Sequence, residues 1–229
     1  MITVNLAELN IRIDNKYPYI THMCEKYLSD KPYDFSITAT DVEISAEDSG
    51  GFDKSYLESL AIYRKIAEKI LSYNGFLMHG VVIDLCGTGI AFLAKSGVGK
   101  STHTQLWQQL LKDNVKIING DKPLIRLIGK KIYAYGTPWA GKENLHINAK
   151  CELKKICFIE RSKNNECVPL SKNEVFEKLM NQIYIPKNPE LLIKTLELAE
   201  KLIESANFYL IRCNTDISAA KTAYEVVCE

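Results

Sequence analysis

The residues best suited to chemistry lie in Phe92–Thr102, whose sequence is FLAKSGVGKST. Glycines let the backbone approach a ligand closely, a lysine adds positive charge and a serine offers a hydroxyl. Together they suit the phosphates of a nucleoside triphosphate and its cation. We therefore predict ATP and Mg²⁺ as ligands. The residues expected to contact the nucleotide are Lys95, Ser96, Gly97, Val98, Gly99, Lys100, Ser101 and Thr102.

This segment departs in one place from the phosphate-loop pattern G-x-x-x-x-G-K-S/T, because Ala94 stands where the pattern begins with glycine. A glycine-rich turn without a ligand is the alternative interpretation. The flanking sequence favours the phosphate loop. Ile90–Leu93 reads as a short buried strand, and Thr102–Asp113 reads as a helix with one apolar face. The residues on that face are Leu106, Trp107, Leu110 and Leu111.

Two further candidates lie on the strands around this loop. Asp121 directly follows the strand segment Val115–Gly120, where its carboxylate would either help Ser101 bind Mg²⁺ or accept a proton from an attacking hydroxyl. A solvated aspartate in a turn is the alternative. His79 lies in the apolar strand before the loop, where taken by itself it reads as a buried core residue.

The segment Tyr135–Lys142, YGTPWAGK, combines two glycines, a proline and a tryptophan at the end of a predicted strand. Such a loop is able to shape a substrate pocket. Trp139 would cover a substrate or serve as a plain core residue, and Lys142 would meet a phosphate or a carboxylate. With His146, these residues form the predicted substrate site.

Composition excludes several classes of function. The 29 basic and 28 acidic residues nearly cancel, and no run of five like charges occurs, so we expect neither nucleic acid nor a membrane as partner. The seven cysteines form no Cys-x-x-Cys pair and are predicted to be reduced thiols. No signal peptide is evident, and the longest apolar stretch, residues 76–94, contains charged residues and glycines. We expect a cytoplasmic protein.

The chain is predicted to divide into an N-terminal α+β layer, residues 1–75, and a nucleotide-binding catalytic domain, residues 76–229. The layer should contain a helix near 17–28, a strand over 35–44 and a helix over 54–73. The second part should begin with a strand over 76–85 and become mostly helical after residue 170. The fold class is therefore α/β with a phosphate-loop core and a helical C-terminal part.

The segment Met78–Ser101, MHGVVIDLCGTGIAFLAKSGVGKS, resembles the catalytic core of HPr serine kinase/phosphorylase without a gap. Thr137–Lys142 resembles a loop of small HPr-kinase-like proteins, which share their nucleotide core with phosphoenolpyruvate carboxykinases. The resemblance implies active-site roles for His79, Lys100 and Asp121, with Ser101 as the Mg²⁺ ligand. HPr kinases are oligomers, so the resemblance also implies a homo-oligomer, while the sequence leaves the oligomeric state open.

Three features differ from HPr kinases. Those enzymes carry adjacent aspartates, whereas Gly120 precedes Asp121 here, and their Pro-Gly-Arg-Asn segment for the reverse phosphorolysis has no counterpart. Residues 1–75 do not resemble their regulatory domain. We therefore expect a kinase without phosphorylase activity, with a substrate other than HPr.

The predicted function is ATP- and Mg²⁺-dependent transfer of the γ-phosphoryl group to a hydroxyl acceptor, either a serine-type residue of a peptide or protein or a small alcohol. Asp121 would accept the hydroxyl proton, and His79 would position or polarise nearby groups. One alternative is a nucleotide-gated switch that transfers nothing. Another is a carboxykinase-like enzyme that acts on a small oxo-acid. The sequence leaves the acceptor and the choice between ATP and GTP open.

Overall fold

A computed structural model describes residues Met1 to Cys228 of the chain. It folds as two compact units, Met1–Tyr73 and Asn74–Glu229. Both units combine helices with sheet, so the architecture is mixed α/β, as predicted. Within the described residues, no helix combines the length and the apolar character that a membrane span requires.

The first unit packs three helices with a three-stranded sheet. Its elements are β1 (Ile2–Leu6), β2 (Leu9–Asp14), α1 (Tyr19–Met23), β3 (Phe35–Thr38), α2 (Asp41–Ala46) and α3 (Lys54–Lys69). Strands β1 and β2 are antiparallel and turn at Ala7 and Glu8, both at positive φ, whereas β3 runs parallel to β2. Buried side chains alternate along β2 and β3, so this sheet has one apolar face.

Two predicted elements of this unit are wrong in their extent. The helix expected over 17–28 is the short α1 followed by a 3₁₀ turn at Glu25–Tyr27. The strand expected over 35–44 ends at Thr38, because Thr40 starts α2. The Thr40 hydroxyl accepts a hydrogen bond from the Glu43 N–H at 3.3 Å, and the Glu43 carboxylate accepts one from the Thr40 N–H at 2.7 Å. This reciprocal cap outweighs the strand-like alternation of apolar residues.

The second unit is built on a nine-stranded mixed sheet. Its elements are β4 (Gly75–Leu77), β5 (Val81–Leu85), β6 (Thr88–Leu93), α4 (Lys100–Leu111), β7 (Val115–Asn119), β8 (Leu124–Ile128), β9 (Lys131–Tyr135), β10 (Lys150–Arg161), β11 (Glu166–Pro169), α5 (Lys172–Met180), α6 (Pro189–Ser205), β12 (Asn207–Cys213) and α7 (Ile217–Val227). The strand order is β4-β8-β9-β10-β6-β5-β7, and β12 pairs with both β10 and β11. The C-terminal part is mostly helical, as predicted, but β11 was not predicted from the sequence.

The sheet curls so that its two ends meet. Strands β4 and β5 lie at or near opposite ends of the strand order, yet only Met78, His79 and Gly80 join them, which limits their separation to about 14 Å. The strand predicted over 76–85 is therefore broken in the middle. The Met78 N–H donates to the Pro123 carbonyl at 3.2 Å, and the Gly80 N–H donates to the Asp121 carbonyl at 2.8 Å. The closure places His79 where the sheet ends meet.

Helix α4 is anchored in the core through Trp107, which is fully buried. Its ring packs against Phe92 of β6 with centroids 5.3 Å apart, and its Nε1–H donates to His103 Nε2 at 3.0 Å. Burial lowers the pKa of His103 to about 4, so this histidine is neutral near pH 7. The packing fixes the helix relative to β6 and thus sets the geometry of the loop between them.

Candidate functional site

The loop between β6 and α4 depends on two glycines. Gly97 has φ 78° and Gly99 has φ 126°, which are conformations that side chains other than glycine rarely adopt. The Val98 N–H donates to the Lys95 carbonyl at 3.3 Å, and α4 begins directly after Gly99. The N-terminal amides of a helix are unpaired and attract anions. The strand–loop–helix geometry therefore places the N-terminal amides of α4 beside the glycine loop.

Lys100 points back across this loop. Its Nζ donates to the Ala94 carbonyl at 2.7 Å and lies 3.4 Å from His79 Nε2. The residue is only 9% exposed, and burial lowers the pKa of its ammonium although the charge of Asp121 acts in the opposite direction. The side chain is thus held in place by the protein before any ligand binds.

Strand directions explain why His79 and Asp121 lie beside Lys100. β5 is antiparallel to both β6 and β7, so the carboxyl ends of β6 and β7 lie at the same edge as the start of β5. Lys100 follows β6, Asp121 follows β7 and His79 precedes β5. His79 Nε2 is 3.3 Å from Asp121 Oδ1 and 3.4 Å from Lys100 Nζ. One ring nitrogen therefore faces a carboxylate and an ammonium.

Asp121 is held by contacts from both its side chain and its backbone. Its Oδ2 pairs with Lys122 Nζ, and its N–H donates to Asn119 Oδ1 at 2.8 Å. Burial alone would raise the pKa of Asp121, but hydrogen bonds from His79 and Lys122, together with their charges, lower it to about 2. Asn119 is itself buried and donates to the Thr137 carbonyl at 3.0 Å. The carboxylate is therefore ionised and fixed in position near pH 7.

Arg161 supports the loop between β6 and α4 from outside. It ends β10, which is parallel to β6, so its side chain lies at the same edge as the loop. Its Nε donates to the Val98 carbonyl at 2.9 Å, and its Nη2 donates to the Gly97 carbonyl. Because both carbonyls accept hydrogen bonds from Arg161, the backbone of the loop is fixed at Gly97 and Val98. Arg212, the penultimate residue of β12, instead pairs with Glu160 and Glu166.

The segment predicted to bind substrate packs against the end of β7. The Ile147 N–H donates to the Ile118 carbonyl at 3.2 Å, and His146 forms a β-bridge with Asn119. Trp139 is 6% exposed and lies in the interior, while Lys142 is exposed on the turn that follows it. The segment therefore brings His146 next to β7 and turns Lys142 toward solvent.

This packing requires a glycine at position 136. A Cβ added at this position would collide with the Ile147 carbonyl oxygen and would lie 2.6 Å from the Ile118 carbonyl oxygen. Since both obstacles are backbone, we expect Gly136→Ala to lower the free energy of unfolding by more than about 2 kcal/mol, measured by urea denaturation. Gly50→Ala is the control, because its Cβ would meet only the Phe52 side chain at 3.4 Å. Equal stability of the two variants would contradict the close backbone contact.

Ser101 lies in the first turn of α4, where its Oγ donates to Glu143 Oε2 at 3.2 Å. A hydroxyl and carboxylates are the oxygen donors that Mg²⁺ prefers, so the residues present fit this cation. Among the residues that the structure describes, no three His, Cys, Asp or Glu side chains form a group able to hold a metal. The donor set therefore suits Mg²⁺ that arrives with phosphate oxygens, rather than a closed protein cage.

Sequence interpretation missed Lys122 and Glu143 as residues of this site, and it considered Arg161 as a candidate phosphate ligand at the end of a predicted strand rather than as a residue that hydrogen-bonds the loop carbonyls. The contacts of Arg161 and Glu143 join residues more than forty positions apart in the chain, and neither residue stands in a recognisable motif. Lys122 is adjacent to Asp121, so its position beside a candidate catalytic carboxylate was a usable signal.

Comparison with models of protein families found no match. No curated protein matched the sequence either. Among solved structures, the chain is similar to the HPr(Ser) kinase/phosphatase from Coxiella burnetii, with 11% sequence identity and a TM-score of 0.32. The alignment covers 55% of this chain and 96% of that chain.

Proposed function

We propose that the protein is an ATP- and Mg²⁺-dependent kinase that transfers the γ-phosphoryl group to a hydroxyl acceptor. The observation that carries the proposal is the meeting of Lys100, His79 and Asp121 beside the loop that contains Gly97 and Gly99. The loop amides and Lys100 bind the phosphates, and Thr102 lies in the same first helical turn.

Each residue of the cluster then has a defined task. Lys100 stabilises negative charge on the transferred group, and Asp121 accepts the proton of the attacking hydroxyl. A carboxylate with a low pKa suffices, because bond formation to the nucleophile lags behind bond cleavage in such transfers. His79 Nε2 contacts both groups and either donates to Asp121 or accepts from Lys100, according to whether this nitrogen carries a hydrogen, so in each form it positions one of the two.

When bound, Mg²⁺ would neutralise charge on the phosphates and orient them for transfer. Ser101 is the proposed protein ligand, with Asp121 as a second candidate. Asp121 is already paired with His79 and Lys122, which favours its role as proton acceptor over its role as metal ligand. The acceptor would be a serine-type residue of a peptide or protein, or a small alcohol, recognised beside Lys142 and His146.

The experiment that tests the function follows the terminal phosphoryl group of labelled ATP, with Mg²⁺, into a peptide and metabolite extract. Label in a hydroxyl-bearing acceptor supports the kinase and identifies its substrate. Nucleotide binding without transfer would favour a switch, and dependence on an oxo-acid would favour carboxykinase-like chemistry. Competition of GTP with ATP in the same assay decides the nucleotide preference.

Replacing Arg161 should weaken nucleotide binding without unfolding the protein. Its two hydrogen bonds hold the Gly97 and Val98 carbonyls, and their loss frees the loop that must present its amides to phosphate. We expect Arg161→Gln to raise the dissociation constant for ATP about tenfold, measured by isothermal titration calorimetry. Arg212→Gln, at the end of the neighbouring strand, is the control and should bind ATP normally. Unchanged affinity in Arg161→Gln would contradict the bracing role.

A further inference from the structure

Glu143 lies beside the phosphate loop although it is 42 residues beyond it in the sequence. Its Oε2 accepts the hydroxyl hydrogen of Ser101 at 3.2 Å. Asp121, the carboxylate expected at this place, is instead engaged by His79 and Lys122. Glu143 is thus the carboxylate that directly contacts the hydroxyl proposed to bind the cation.

Backbone contacts, rather than the Glu143 side chain, hold this residue near Ser101. The turn that contains it starts at Gly141, where an added Cβ would lie 3.1 Å from the Cβ of Asp121. After the turn, the Leu145 carbonyl oxygen lies 3.2 Å from the position of a Cβ built on Gly120. The turn packs against the end of β7 on both sides of Glu143. The path of the backbone therefore places the Glu143 carboxylate at the start of α4.

The chemistry of the contact suits a cation site. A hydroxyl that donates its hydrogen to a carboxylate keeps its oxygen lone pairs available, and the negative charge nearby strengthens binding of a divalent ion. Glu143 is exposed, so approach of a nucleotide with its cation is not blocked by the turn. Mg²⁺ commonly uses few protein carboxylates together with substrate phosphates.

Building on the proposed kinase function, we propose that Glu143 is the positioning residue of the Mg²⁺ site. It orients the Ser101 hydroxyl toward the cation and supplies the negative charge that Asp121, paired with two basic side chains, does not supply. Asp121 is thereby left to accept the proton. The site accordingly has two carboxylates with separate tasks, and the second comes from the loop that also forms the predicted substrate site.

The test measures cation affinity rather than turnover. The full chain is saturated with the β,γ-methylene analogue of ATP in metal-free buffer, and Mg²⁺ is titrated in by calorimetry. We expect Glu143→Gln to weaken Mg²⁺ binding about 10- to 100-fold, and Glu143→Asp to restore part of the loss. Glu177→Gln, an equal charge change on the exposed face of α5, is the control and should leave the affinity unchanged.

A double-mutant cycle tests whether Glu143 acts through Ser101. If it does, the loss of Mg²⁺ affinity in Ser101→Ala combined with Glu143→Gln is smaller than the sum of the losses in the two single variants. Wild-type Mg²⁺ affinity in Glu143→Gln, or fully additive losses in the double variant, would overturn the inference while the kinase function stands. Failure of the unmodified chain to bind the analogue at all would overturn the kinase function and this inference with it.

Discussion

Lys100→Ala is expected to lower the rate of phosphoryl transfer by about 10²-fold or more. The Lys100 ammonium is held by the Ala94 carbonyl and lies against His79, so it is in place before the nucleotide binds. A charged donor fixed in advance stabilises the charge that develops during transfer without a further cost of reorganisation. The measurement is single-turnover transfer from labelled ATP to the acceptor identified in the extract.

Two further variants separate the charge of Lys100 from its packing. The residue is buried, so Lys100→Ala also leaves a cavity, whereas Lys100→Met fills most of the same volume without a charge. If the charge of Lys100 drives catalysis, Lys100→Ala and Lys100→Met should lower the rate of phosphoryl transfer to a similar degree. Lys116→Ala, at an exposed position of β7, serves as the control and should retain full activity. Phosphoryl transfer at the normal rate by Lys100→Met would contradict a catalytic role for Lys100.

Local sequence signals predicted the elements on either side of the loop between β6 and α4. Apolar periodicity located α4, which begins at Lys100, two residues before the predicted start, and the two glycines marked the loop at which positive φ is found. These features depend on residues close in sequence, so a single chain contains the information needed to find them.

The contacts of Glu143 and Arg161 could not be predicted in this way. Glu143 reaches Ser101 because a turn packs on the end of β7, and Arg161 reaches Val98 because β10 is parallel to β6. Both contacts follow from strand order, which residue types and spacing do not determine. The break between β4 and β5 has the same origin, since the apolar run over 76–85 gives no sign that the sheet closes there.

Asp121→Asn should lower transfer about 10²- to 10⁴-fold, because the asparagine amide cannot accept the proton of the attacking hydroxyl. The amide keeps the size of the carboxylate, so the hydrogen bonds of the residue 121 backbone, in which its N–H donates to Asn119 Oδ1 and its carbonyl accepts from the Gly80 N–H, are expected to remain. Asp113→Asn, an exposed position just beyond α4, is the control and should transfer normally. Normal turnover by Asp121→Asn would exclude the proton-acceptor role.

The same substitution should alter the response of folding to acid. The pKa of Asp121 falls from 3.8 to about 2 in the folded protein, so the folded state favours the ionised form. This contribution to stability is fully present above about pH 4 and is lost as the pH falls from there toward 2. Urea denaturation across this range should therefore show a shallower decline for Asp121→Asn than for the unmodified chain. Equal slopes would mean that the contacts with His79 and Lys122 do not lower the pKa of Asp121 in the folded protein.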